Sequence, residues 1–169
     1  MIARSRLAAV LATALLAASS PAWAGDDPAA SQVQHYSGVK ADYAFRCKGC
    51  HGFDGEGTPG HVPRLRGFVG LYTWLPEGRD YLLRVPGAAR SRLDDARLAA
   101  VLNWVLATYG AGQVAPGFAP FTAEEVGVAR RRPLLNQKEV RARLIAEMRA
   151  KGLIGEGEDG LGVSPEHRG

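Results

Sequence analysis

Apolar residues recur with helical spacing at Leu98, Val101, Leu102, Val105 and Tyr109. Ser91 ahead of them is a candidate N-cap, Asp94 and Asp95 suit the positive end of a helix dipole, and Gly110 is a stop. Upstream, Pro76 to Val85 predicts a shorter helix with Leu75, Tyr81, Leu82 and Val85 on offer as apolar cover. Downstream, Ala111 to Gly117 is a turn-rich connector, and Phe118-Ala119-Pro120-Phe121 sets two aromatics before a helix start. Thr122-Ala123-Glu124-Glu125 matches a capping box and predicts a helix over 123–131, closed by Pro133. A last amphipathic helix is predicted over 137–151, with Val140, Leu144, Ile145 and Met148 on its apolar side and Gly152 at its end. Residues 152–169, rich in Gly and acidic groups, read as a loose tail. The architecture these elements predict is all-α.

The first 24 residues have the form of a secretory signal peptide: Arg4 and Arg6, an apolar stretch from Leu7 to Ala18, and the small-x-small site Ala22-Trp23-Ala24. Twelve residues fall short of the roughly 20 needed to span a bilayer. The later run from Leu98 to Ala107 is interrupted by Asn103, so no stable membrane insertion is expected. Export would place the mature chain, with a linker over 25–36, in the periplasm. Composition agrees with a soluble domain, at 46% hydrophobic and 22% charged in 169 residues. Without Arg4 and Arg6 the formal charge of +4 falls to +2, too little to suggest nucleic acid. Its distribution is uneven, because residues 130–151 hold eight cations against Glu139 and Glu147. That basic stretch reads either as a docking surface for an acidic partner or as the wetted face of a helix that wraps the core.

An exported chain with two cysteines would ordinarily pair them in a structural disulfide. Here both lie in Cys47-Lys48-Gly49-Cys50-His51, which admits three other readings. A thioredoxin-like pair should open a helix after a strand, and nothing near Cys47 alternates as a strand does. A zinc site needs two more ligands at matching spacing, and His35, His61 and His167 are scattered. The third reading is covalent haem attachment, with both thiols added to the haem vinyl groups and His51 on the iron. It fits the sequence best.

The surrounding residues resemble class I c-type cytochromes from Ser37 to Gly110. Gly38 and Tyr43 stand nine and four residues before Cys47, as a Gly and an aromatic do on that family's first helix. Gly52-Phe53-Asp54-Gly55-Glu56-Gly57 is similar to the acidic, Gly-rich turn after the motif, and Pro63-Arg64-Leu65-Arg66-Gly67 to its Pro-x-Leu-x-Gly. The resemblance implies a class I cytochrome c fold over 37–110; it ends there, and the two helices predicted downstream make a C-terminal extension over 111–151. The resemblance also implies one haem c on Cys47 and Cys50, His51 as proximal ligand, and Pro63 as acceptor of the imidazole hydrogen bond. In the family the C-terminal helix crosses the first at a small residue, a role that falls to Gly38. Trp104 would pack at that crossing or on the haem edge, and Leu75, Tyr81, Leu82 and Val85 are available to cover a haem face.

One feature departs from the pattern. Electron-carrying members place a Met between the middle and last helices, and Arg84-Val85-Pro86-Gly87-Ala88-Ala89-Arg90-Ser91 holds none. Met148 is the remaining thioether of the mature chain and the candidate distal ligand, although its place on an apolar helix face equally suits packing. His61 and His35 are weaker candidates. The alternative is an open distal position accessible to CO, NO or peroxide. The sequence therefore predicts a periplasmic mono-haem carrier of single electrons between a redox protein donor, such as a dehydrogenase, and a downstream acceptor. The competing reading is a haem-based small-ligand sensor or enzyme. Oligomeric state is not legible.

Overall fold

The computed structural model describes residues 38–162; the stretches read as signal peptide and linker, with His35 and His167, lie outside the described residues. Those residues form helices and turns with no strand, the one bridge being Thr58 with Val62. In chain order the elements are α1 (38–46), α2 (Lys48–His51), a 3-10 turn (Val69–Trp74), α3 (Pro76–Arg84), α4 (Pro86–Ala89), α5 (Asp95–Tyr109), α6 (Ala123–Ala129) and α7 (Gln137–Ala150). No helix among the described residues is long and apolar enough to cross a membrane.

The α5 helix organises the first core. Its cap is Asp94 rather than Ser91: Asp94 Oδ1 accepts the Arg97 amide at 2.8 Å, and Ser91 Oγ accepts the Leu93 amide at 3.3 Å. The helix buries Leu98, Val101, Val105, Leu106 and Tyr109 against Val39 and Tyr43 of α1 and against Phe121 and Val126. The crossing with α1 does not use Gly38, which is exposed and whose added Cβ would meet nothing within 4 Å. Val39 and Tyr43 make it instead, with the Tyr43 ring 5.1 Å from Trp104 and 5.6 Å from Tyr109. Asp42, buried on the same helix, is held by the Arg97 guanidinium through Nε at 2.9 Å and a second short contact. Gly110 ends α5 at an ordinary negative φ, and its lack of a side chain serves a close approach: a Cβ there would lie 2.9 Å from the Gly70 nitrogen.

A second core forms where α7 lies on α3 and the 3-10 turn. Val140, Leu144, Ile145 and Met148 close over Phe68, Leu71, Tyr72, Leu75 and Tyr81, and Tyr72 and Tyr81 stack at 5.1 Å. This corrects the expectation that Leu75 and Tyr81 would cover a haem face, because the apolar stripe of α7 takes both. Leu82 and Val85 of that set stay half-buried.

Three of the eight cations of the extension, Arg130, Arg141 and Arg149, are half-buried. Arg130 donates to the carbonyls of Ala89, Ser91 and Leu93 and pairs with Asp95 at 2.8 Å. Arg143 pairs with Glu77 at 2.5 Å, and Arg149 donates to the Glu158 carbonyl at 2.8 Å. Thr122 caps α6 as its sequence predicts, accepting the Glu125 amide at 3.1 Å. The Glu125 carboxylate, however, leaves the box to pair with Arg79 through bonds of 2.6 and 2.7 Å, and Arg79 lies over both Phe118 and Phe121. The stretch thus packs its apolar side on the core and keeps Arg131, Arg132, Lys138, Arg143 and Lys151 exposed.

The last described segment differs most from what its composition suggests. Residues 153–162 run back as a strap over the loop 60–68 rather than trailing free. Leu161 O accepts the Gly60 amide at 2.9 Å, Gly160 O accepts the Arg64 amide at 2.8 Å, and the Glu158 carboxylate accepts from Arg64 Nη2 at 2.6 Å. The Arg141 guanidinium holds the Asp159 carbonyl from the α7 side.

Candidate haem site

The motif is a single helical turn appended to α1. Tyr43 O accepts the Cys47 amide at 2.8 Å, and Cys47 O in turn accepts the amides of Cys50 and His51 at 3.1 and 3.0 Å. Cys47, Cys50 and His51 thus stand at i, i+3 and i+4, the spacing that lines side chains on one helix face. Two tyrosines fix this turn from the core: Tyr43 donates its hydroxyl to Gly52 O and Tyr109 to Phe53 O, each at 2.7 Å.

The structure brings His51 and Pro63 together as the sequence predicts. His51 Nδ1 is 3.2 Å from Pro63 O, and as the donor it leaves the Nε2 lone pair for a metal. Burial lowers the pKa of His51, against an opposing effect of the Pro63 bond, and so favours the neutral ring that can ligate a metal. Gly57 keeps the geometry. Its amide donates to His51 O at 3.0 Å, its φ is +71°, and a Cβ there would sit 2.4 Å from Val62 O and 2.8 Å from Pro63 O. The loop beyond is tied back by the Leu65 amide to Gly55 O at 2.7 Å and the Gly67 amide to Tyr109 O at 2.8 Å.

Cys47 and Cys50 are not joined in a disulfide. Burial, then the nearby Asp42 and Cys50, push the half-buried Cys47 thiol up to about 11, whereas Cys50 is exposed. Among the described residues no three His, Cys, Asp or Glu side chains gather as a metal cluster, and the motif continues a helix rather than following a strand. Neither the zinc nor the thioredoxin reading finds its setting. Leu65, Leu82 and Leu102 are half-buried against the same apolar cluster as Cys47, hydrocarbon of the kind a covalently held macrocycle would cover. Phe53 is exposed beside the motif, with Lys48 Nζ 4.2 Å from its ring centre.

The segment 85–94 that joins α3 to α5 is ten residues long and holds no thioether, imidazole or amine. Arg130 clamps it through three of its carbonyls. Met148 lies fully buried in the second core, packed among Phe68, Leu71, Tyr72 and Leu75. His61 is exposed on the loop that carries Pro63, its Nδ1 3.0 Å from Pro59 O. The residues that sequence reasoning missed are Gly57, Tyr109, Asp42 and the strap.

The chain is 33% identical over 126 residues to cytochrome c-552 of Thermus thermophilus, a match that takes in 64% of this chain and 92% of that protein. A second cytochrome c-552, also from Thermus thermophilus, matches with the same 33% identity over 126 residues, 64% of this chain and 82% of its own length. No family model matches the chain. With its helical fold and Cys-x-x-Cys-His turn, the chain belongs to the class I c-type cytochromes. It is a mono-haem cytochrome of the electron-carrying kind, with one haem c bound covalently.

Proposed function

We propose that this protein carries single electrons in the periplasm between a dehydrogenase or other respiratory donor and a downstream redox protein, with its haem held through Cys47 and Cys50 and ligated by His51. The observation that carries the reading is the bond from His51 Nδ1 to Pro63 O, which sets the tautomer that offers Nε2 to iron. The haem supplies a one-electron ferric/ferrous couple. The residues of the chain fix its proximal side: Tyr43 and Tyr109 anchor the motif turn, and Gly57 admits the Pro63 carbonyl. The leader sequence, outside the described residues, supports the exported location.

A second reading rests on the segment 85–94, which holds no thioether, imidazole or amine and whose one carboxylate, Asp94, is taken up as the cap of α5. It favours a distal position that small ligands such as CO or NO can reach, and with it a sensing or peroxide-reactive role. One experiment separates the two. The ferric holoprotein is examined by optical and electron paramagnetic resonance spectroscopy, then reduced and exposed to CO, in parallel with Met148→Leu. Carriage with Met148 on the iron requires a low-spin, CO-indifferent protein whose spectrum changes on substitution. High-spin iron that binds CO in both proteins supports the open position. An unchanged iron spectrum in His51→Ala would refute the proximal assignment.

A further inference from the structure

We infer that the strap formed by residues 153–162 positions the proximal side of the haem, with Glu158 and Gly160 acting through Pro63 on His51 and so setting the reduction potential. The inference rests on the assignment of His51 and Pro63 proposed above. Nothing in the composition of this Gly-rich segment marks it for such a role, yet its contacts converge on one place in the fold. Gly160 O accepts the amide of Arg64, the residue bonded to Pro63, and Leu161 O accepts the amide of Gly60 on the other side of that proline. The loop that presents the Pro63 carbonyl is therefore gripped at both flanks.

The strap is itself held from α7 and from within. Arg141 and Arg149 donate to the carbonyls of Asp159 and Glu158, and Asp159 Oδ1 accepts the Leu161 amide at 2.8 Å. The Glu158 carboxylate binds Arg64, whose guanidinium also lies 5.7 Å from the Phe68 ring centre. Gly160 is the tightest point, because its φ is +74° and an added Cβ would come within 2.7 Å of the Phe68 ring, itself fully buried. A side chain there cannot be accommodated without lifting the strap.

The direction of the effect follows from the hydrogen bond. A carbonyl held against the imidazole N–H raises the basicity of the ring and its donation to iron, which favours the ferric state. Releasing the strap loosens the Pro63 carbonyl, weakens that donation and moves the potential upward.

The test uses the full-length holoprotein and three variants. Gly160→Ala lifts the strap by collision, and Glu158→Gln removes its charge pair with Arg64. Gly117→Ala is the control, with a φ of +74° at a turn where a Cβ meets nothing within 4 Å. The readouts are the potential by redox titration and the hyperfine-shifted His51 ring N–H resonance, with its solvent exchange rate, by proton NMR. The expected result is a raised potential and ring N–H exchange faster by about tenfold in Gly160→Ala. Glu158→Gln should give a smaller shift of the same sign, and Gly117→Ala none. If faster exchange of the Arg64 amide shows the strap released in Gly160→Ala while potential and ring resonance stay in place, the inference is overturned. If Gly160→Ala does not fold, Glu158→Gln decides by the same two readouts. Absence of any hyperfine-shifted His51 ring signal in the unmodified protein would instead refute the proximal assignment.

Discussion

Replacing Gly57 by Ala tests the proximal geometry most directly, because the new methyl group has nowhere to go. The backbone at Gly57 has φ +71°, which costs an L-residue about 1 kcal/mol. The Cβ would lie 2.4 Å from Val62 O and 2.8 Å from Pro63 O, and both are backbone atoms that a rotamer change cannot move. Forcing them apart adds roughly 1–3 kcal/mol, the usual range for an overpacked site. Displacing Pro63 O from His51 Nδ1, already 3.2 Å away, removes a bond of about 1 kcal/mol. The loss comes to roughly 3–5 kcal/mol, a large part of the stability of a domain this size and equivalent to a fall in Tm of about 10 °C or more. The assay is thermal unfolding of the ferric holoprotein followed by helix circular dichroism and the Soret band, with the His51 ring proton observed by NMR. Gly38→Ala is the comparison: it is helical, exposed and free of neighbours, and should be neutral or gain up to about 1 kcal/mol. A Gly57→Ala protein that melts within about 2 °C of the parent and keeps its ring resonance would refute the geometry.

Arg130→Ala should lose roughly 2–3 kcal/mol in urea unfolding, since it strips three carbonyls and Asp95 of one shared donor; a loss below about 0.5 kcal/mol would show that the clamp on the segment 85–94 is not structural. In the haem-free chain iodoacetamide should alkylate exposed Cys50 first, with the Cys47 rate climbing as pH approaches about 11, and equal rates at pH 8 would contradict the burial of Cys47. The folded state holds the Cys47 proton more tightly than the unfolded chain, so that haem-free chain should lose stability as pH rises from about 8.5 toward the folded value, which pH-dependent melts would show. Met148→Ala should cost about 3 kcal/mol and Met148→Leu less than about 1.5 kcal/mol, as volume predicts for a fully buried side chain; similar losses for both would point to a role of the sulfur beyond packing.

Much of this molecule could be read from side-chain identity and spacing. The apolar recurrence from Leu98 to Tyr109 lies in a helix over Asp95–Tyr109, and Thr122 caps α6 at the residue its pattern names. His51 and Pro63, twelve residues apart, meet as the resemblance implied. The misses share a physical cause, since they turn on backbone atoms or on competition between partners. The strap is fastened largely by its own carbonyls and by amides of the 60–68 loop, so Gly-rich and acidic composition disguises it. Gly38 matched a family position, yet Val39 and Tyr43 carry the crossing with α5. Leu75 and Tyr81 have the character that a cofactor pocket needs, and nothing in α3 alone shows that α7 takes them first.

Arg64 and Glu158 are 94 positions apart, and the loop their pairing closes is most of the chain. Both side chains are partly exposed, so the clasp is modest in free energy, and a contact of such sequence separation forms late. A polypeptide made from its N-terminus completes Cys47-Lys48-Gly49-Cys50-His51 well before residue 158 exists. Until then the loop carrying Pro63 lacks its contacts with Glu158, Gly160 and Leu161. A chain ending before Glu158 would keep the Cys-x-x-Cys-His turn and lose all three of these contacts, so the strap braces from the C-terminal end a loop that serves the N-terminal motif.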